Sequence, residues 1–284
     1  MTPRICSAGV TDTRKADQCR HGPRNSNNLS ETKLMRRFGW IPDLPDIRDY
    51  RYAAPRRLLR ALPAAVDLRQ SCPSVRDQGP TGACTGFAWR AAYSFLANKQ
   101  GKPFDPSPLF IYYLERTIEN SVKEDSGAFI RDGAKALADM GICSEKSWPF
   151  SPPKVTKRPT SKAYTEAKRH QSLQYKRVEN TDIDQLKGCL ADGRTIVFGI
   201  SVYNSMMTPA VDKSGNIPMP KGAKDELLGG HAVLCVGYND SKKRFNLMNS
   251  WGTGWGAKGF GTAPYAYLTD TNLADDFWTL EVVE

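Results

Sequence analysis

No stretch of this 284-residue sequence approaches the roughly 20 consecutive apolar residues that a membrane-crossing helix needs, so a membrane-spanning protein is not expected. The opening MTPRICSAGVTDTRKADQC lacks the apolar core of a secretory signal, and no standard signal peptide is expected either. Histidine is scarce, with three in all, and the seven cysteines include no C-x-x-C pair. That combination argues against a zinc site, and no metal or cofactor is expected. Acidic residues are in deficit, 30 against 40 basic ones, for a formal charge of +10, with much of the excess in the first 60 residues. A basic arm invites nucleic acid or anionic lipid, but no nucleic-acid-binding module accompanies it. A solvated polar segment is favoured over a nucleic-acid or membrane contact.

What is present is enough apolar sequence, 40%, for one large domain or two lobes. Residues 1 to about 35 are rich in Asn, Ser, Arg and Lys with no sustained apolar period, and read as a mobile arm. In FGWIPDLPDIRDYRY, Trp40, Ile41, Leu44, Ile47 and Tyr50 are punctuated by Pro42 and Pro45. This rules out a helix and suits an extended segment lying on a surface. In CTGFAWRAAYSFLANKQG, Phe87, Ala91 and Phe95 recur every four positions, as do Ala88, Ala92 and Leu96, which predicts a buried amphipathic helix ending at Gly101. Further helices are expected in SPLFIYYLERTIEN and in RDGAKALADMG, the latter closing at Gly141. Beyond a Lys- and Pro-rich connector, TIVFGISVY, HAVLCVGYND and RFNLMNSW are short runs rich in β-branched and aromatic residues, and read as strands. Helices followed by strands make an α+β protein, with a cleft between lobes as the natural binding site.

Three short blocks stand out: QGPTGAC, GGHAV and NSWGTGWG. The first sets Cys84 between a glycine-rich turn and the predicted helix. The other two flank a hairpin turn at Asn239-Asp240-Ser241, and a turn centred on Asp240 puts His231 opposite Asn249. Directly opposed side chains have Cβ atoms about 5 Å apart, within reach for an amide to hold an imidazole. Taken singly, Cys84 reads as a small buried thiol, His231 as a core or surface histidine, and Asn249 and Trp251 as turn and core residues. His21 and His170 have no neighbours of catalytic type. Cys235 reads as core, Cys72, Cys143 and Cys189 carry no assignment, and Cys6 with Cys19 is an open pairing.

Together and in this order, the three blocks resemble the glutamine, cysteine, histidine and asparagine blocks of the papain family of cysteine peptidases, over about Leu62 to the C-terminus. The resemblance implies a two-lobed fold, with a helical lobe at about 62–170 and an antiparallel, barrel-like β lobe at about 171–284. It implies Cys84 as nucleophile, His231 as its acid and base partner, Asn249 as the residue orienting the imidazole, and Gln78 as a donor to the oxyanion. Trp251 is expected to cover the His–Asn hydrogen bond. A helix N-terminus and a nearby imidazolium would lower the thiol pKa from about 8.5 toward 4. Gly127 and Ala128 are expected to pair with substrate backbone, and Phe129 and Ile130 to face the apolar pocket for the second residue before the scissile bond. Gly230 and Trp251 complete the expected substrate contacts.

The sequence departs from the family in two ways. Thr85 stands where a tryptophan usually follows the nucleophile, and Thr81 and Asp125 occupy both ends of the family's common disulfide. Residues 1–61 are expected to be an N-terminal pro-segment or regulatory arm, partly extended through the cleft and anchored over Trp40 to Tyr50. The implied activity is that of a thiol protease, an endopeptidase held inactive by this arm, acting on peptide or protein substrates. Two other readings stay open: a binding or regulatory protein on the same fold, and a transglutaminase-like acyltransferase using the same Cys-His-Asn set. The absent signal and the missing disulfide favour a cytoplasmic location over export by another route.

Overall fold

The computed structural model describes residues 36–283. The polar run over residues 1–35, with Cys6, Cys19 and His21, lies outside the described residues. In chain order the elements are β1 (Trp40–Ile41), α1 (Arg56–Leu59), β2 (Ala65–Asp67), α2 (Cys84–Lys99), α3 (Pro108–Ile118), β3 (Ala128–Phe129) and α4 (Ile130–Asp139). Then follow α5 (Ser161–Ala167), β4 (Ser172–Arg177), α6 (Ile183–Ala191), β5 (Ile196–Tyr203), α7 (Pro209–Ser214), β6 (Leu227–Asn239), β7 (Arg244–Met248), β8 (Phe260–Pro264), α8 (Tyr265–Thr269) and β9 (Ala274–Val283).

Helix α2 is the spine. It packs against α3 and α4 on one side and against β6 and β9 on the other. Its two apolar stripes are supplemented by Trp89 and Tyr93, and every residue from Cys84 to Phe95 is buried. The expected amphipathic helix therefore has no solvent face over its first three turns, because it is covered from both sides. Arg90, the one cation in that run, is satisfied by Asp105 Oδ1 at 2.6 Å and the Ser74 carbonyl at 2.7 Å. Helix α3 starts where its chemistry dictates: Ser107 Oγ accepts from the Phe110 N–H, and Pro108 takes the first helical position. Helix α4 ends two residues before Gly141, whose φ of 74° closes the helix by a left-handed turn.

The opposite side is a seven-stranded antiparallel sheet in the order β4-β9-β5-β6-β7-β8, with β2 added against β6. Ala65–Asp67 thus belongs to the sheet, although it lies in the span expected to be helical. The β6–β7 hairpin differs from expectation in register. Asn239 pairs with Arg244 across a longer loop in which Lys243 has φ 50°, and a bulge falls between Cys235 and Gly237. Leu234 therefore pairs with Met248, and His231 and Asn249 are not directly opposed. The left-handed residue and the bulge each shift the pairing away from a turn centred on Asp240.

Residues 36–41 pass the turn before α2 and the Gly229–Gly230 part of β6. β1 pairs in parallel with β3, Trp40 opposite Ala128 and Ile41 opposite Phe129. Within the span expected to be anchored, Trp40 to Tyr50, the anchors are Trp40, Asp43 and Asp49, whereas Leu44, Ile47 and Tyr50 are exposed.

Candidate active site

Cys84 is the first residue of α2. The preceding Ala83 offers no side-chain cap and the first turn holds no acidic residue, so the positive end of the helix is left for the thiol. Cys84 Sγ lies against the backbone N–H groups of Thr85, Ala232 and Gly39. Ala232 directly follows His231, so the far strand β6 brings the histidine to the helix end.

His231 Nε2 lies 2.8 Å from Asn249 Oδ1, and the Ser250 N–H donates to the same oxygen at 2.8 Å. Two donors on Oδ1 orient the amide and require Nε2 to carry its proton. The lone pair of the neutral ring then falls on Nδ1, which is buried with no hydrogen-bond partner. Trp251 stacks on the imidazole with ring centroids 4.6 Å apart, covering the His–Asn bond. The contact expected from sequence thus forms, reached along a diagonal instead of directly across the hairpin.

Gln78 joins the same network. Its Oε1 accepts from Ser250 Oγ at 2.6 Å, its backbone N–H donates to the Ser250 carbonyl at 2.9 Å, and Nε2 donates to the Thr81 carbonyl at 2.7 Å. The second Nε2 proton points at the Arg37 carbonyl, 3.3 Å away. Asp125, absent from the expected set of site residues, takes over the work of the missing disulfide. Its two oxygens accept the Gly82 N–H, both at 3.0 Å, while Tyr112 donates to Oδ1 at 2.7 Å and Arg37 to Oδ2 at 2.9 Å. Tyr112 Oη in turn accepts the Gly127 N–H at 2.9 Å. The turn before Cys84 and the cleft strand are tied by a partly buried carboxylate in place of a covalent bridge. Thr85, at the family's tryptophan position, donates to Glu115 Oε2 at 2.6 Å inside the core.

Of the expected substrate contacts, Gly127, Ala128, Gly230 and Trp251 meet the N-terminal segment. The Gly39 carbonyl accepts the Ala128 N–H at 2.7 Å, and a Cβ on Gly127 would lie 2.4 Å from that carbonyl. A Cβ on Gly39 itself would lie 1.8 Å from the Gly82 carbonyl, so only glycine passes here. Gly230 lies under Trp40, and Trp251 is faced by Phe38 and by the Arg36 guanidinium, 4.2 Å from its ring. Ile130 is fully buried in the core cluster that includes Trp40 and Ala128, and Phe129 is half-buried with its N–H on Glu119 Oε1.

This cover reverses the expected electrostatics. Burial pushes the Cys84 thiol up to about 11, outweighing the three N–H groups that favour thiolate. Burial likewise lowers His231 to about 4 despite the Asn249 bond, with the Arg36 charge adding to the effect. Beneath residues 36–40 the pair is a neutral thiol and a neutral imidazole near pH 7, not the ion pair anticipated from the helix end alone.

Comparison with known proteins agrees with this architecture. The model of the papain family cysteine proteases matches residues 62–266. Xylellain, a cysteine protease of Xylella fastidiosa, shares 43% identity, with 88% of this chain and 97% of that chain covered at a TM-score of 0.82. A peptidase C1-like protein of Acanthamoeba polyphaga mimivirus is 39% identical over 280 residues, 90% of each chain. Cysteine proteinase 1 of Entamoeba histolytica is 28% identical over 204 residues, 70% of this chain and 62% of that protein. A thiol at a helix start, a strand-borne imidazole held by an amide and a family match spanning both make this chain a papain-family cysteine peptidase.

Proposed function

We propose that Cys84, His231, Asn249 and Gln78 are the catalytic set of an endopeptidase, and that the N-terminal segment, within residues 1–61, holds it inactive by occupying the cleft. The observation that carries the reading is the position of Arg37–Trp40: a carbonyl on the Gln78 amide, a glycine against the thiol, and a backbone bond to Ala128.

Once the segment moves aside, water reaches the site and the desolvation that keeps both groups neutral is relieved. A proton passes from Cys84 to Nδ1 of His231, giving thiolate and imidazolium, with the helix N-terminus stabilising the sulfur. The thiolate attacks the peptide carbonyl. Charge on the resulting oxyanion is met by Gln78 Nε2, in the place the Arg37 carbonyl now takes, and by the Cys84 N–H. The imidazolium donates its proton to the departing amine as the C–N bond breaks, leaving a thioester. The neutral imidazole then takes a proton from water, hydroxide adds to the thioester, and collapse releases the acid and restores the thiolate. Asn249 holds Nε2 throughout, so one nitrogen serves both proton transfers.

The test is alkylation of Cys84 by an epoxysuccinyl inhibitor together with casein hydrolysis. Labelling with casein cleavage in Trp40→Ala, where the segment is released, both weaker in the native chain and lost when Cys84→Ala is added, supports the peptidase and its cover. Labelling without cleavage on removal of the segment points to a binding protein. Amide products formed from an added amine point to acyl transfer.

A further inference from the structure

Trp40 fills a slot bordered by the backbone of two glycines, Gly199 and Gly230. A Cβ on Gly199 would lie 2.0 Å from the indole ring, and one on Gly230 would lie 2.4 Å from the Trp40 carbonyl and 2.8 Å from its ring. Ala128 of β3 is its backbone partner. At the floor lies Asp276, fully buried, with φ 59°. Its Oδ2 accepts the indole Nε1–H at 2.9 Å and the Asp43 N–H at 2.7 Å, while Arg177 Nη1 holds Oδ1 at 3.2 Å.

Trp40 and Asp43 both belong to the segment that must leave before a substrate can enter. When they go, Asp276 Oδ2 loses both donors and stays pinned by Arg177 in a slot bordered by Gly199 and Gly230. A buried acceptor stripped of its partners favours whatever returns a donor to it, and a hydrogen bond to a charged group is among the stronger ones. The slot opens beside Gly230, the residue before His231, so its occupant and the reacting carbonyl belong to neighbouring parts of one substrate.

We infer that Asp276 is a specificity-determining residue, and that the slot vacated by Trp40 selects a planar, N–H-donating side chain, tryptophan, at the substrate residue that pairs with β3. The inference rests on the reading of Cys84 as the peptidase nucleophile. The two glycines supply the flatness and the carboxylate reads the ring nitrogen. Both sit on sheet strands, so the slot outlasts the departure of the segment.

The experiment uses the full chain carrying Trp40→Ala, which empties the slot, and two blocked dipeptide coumarylamides, X–Arg. In one, X is tryptophan; in the other it is 3-benzothienylalanine, the same bicycle with sulfur in place of N–H. The tryptophan substrate is expected to show at least a tenfold higher kcat/KM. In Trp40→Ala/Asp276→Asn, a replacement that keeps the shape and suits the left-handed backbone, the ratio is expected to fall several-fold, with thermal melting confirming the fold. A ratio within twofold of one in Trp40→Ala overturns the inference while leaving the peptidase standing. Failure to cleave either substrate, together with failure of the epoxysuccinyl inhibitor to label Cys84, overturns the peptidase reading and this inference with it.

Discussion

Trp40→Ala should convert the covered site into an open one, and the size of the effect follows from the packing. Trp40 is only 7% exposed and its indole donates to a buried carboxylate. Burying a side chain of this size removes about 150–250 Å² from water, worth about 4–6 kcal/mol at ~25 cal/mol/Å². Truncating such a residue to alanine typically costs about 3–5 kcal/mol. Two of its neighbours, Gly199 and Gly230, are strand glycines with no side chain to fill the space, so the loss should fall toward the top of that range. At 1.36 kcal/mol per decade, the undocked population rises by about two to three and a half powers of ten, until the segment is mostly released. Trp40→Phe keeps an aromatic ring but removes the donor, and should give an intermediate rise, since a hydrogen bond to a charged group is worth about 1.5–3 kcal/mol. The assay is the second-order rate of Cys84 alkylation by an epoxysuccinyl inhibitor in the full chain, with thermal melting as a check on folding. If both variants label at the native rate, Trp40 does not hold the segment and the blocking role collapses.

Docking of the segment should also depend on pH, in a direction set by Asp43. Burial, and then the neighbouring Asp276, push its carboxyl up to about 8, against the lowering influence of Arg131, Arg177 and the Trp278 N–H. The docked state therefore binds the Asp43 proton more tightly than the released one, so docking is strongest in acid and weakens as pH rises from the ordinary carboxylate range through about 8. The alkylation rate of the native chain relative to Trp40→Ala should climb between pH 5 and about 8, and Asp43→Asn should flatten that climb; a ratio rising toward acid contradicts it. Gln78→Ala removes one oxyanion donor and should cost roughly 3 kcal/mol in kcat, about a hundredfold, in the Trp40→Ala background; unchanged turnover would remove Gln78 from the mechanism. Thr85→Val leaves Glu115 without its donor, and Glu115 Oε1 already has no partner. The expected loss is about 1–3 kcal/mol, several degrees in Tm, and an unchanged melting curve would show the pair to be inert.

Much of this molecule can be read along the chain. The four-residue stripes of Phe87, Ala91 and Phe95 and the capping chemistry at Ser107 specify helices locally, because backbone hydrogen bonding and side-chain direction repeat over a few residues. Composition suffices to separate a helical from a strand-rich half, and three short blocks suffice to bring Cys84, His231, Asn249 and Gln78 under suspicion together. The hairpin shows the limit of local reading: an unforeseen left-handed Lys243 and a bulge moved the register, yet the His231–Asn249 bond survived because it spans a diagonal.

What sequence alone could not decide were properties that exist only between distant segments. Asp125 reads as one surface carboxylate among many until Gly82, Tyr112 and Arg37 converge on it. Asp276 becomes the floor of a slot only because β9 passes beneath Trp40. The charge state of the thiol in the covered site has the same origin. The helix end that favours thiolate is encoded next to Cys84, but the desolvation that overrides it comes from Gly39 and its neighbours laid across the site by tertiary folding. Residue types and local geometry were settled by the order of amino acids; burial, and with it the electrostatics of the site, was settled by what the fold placed on top.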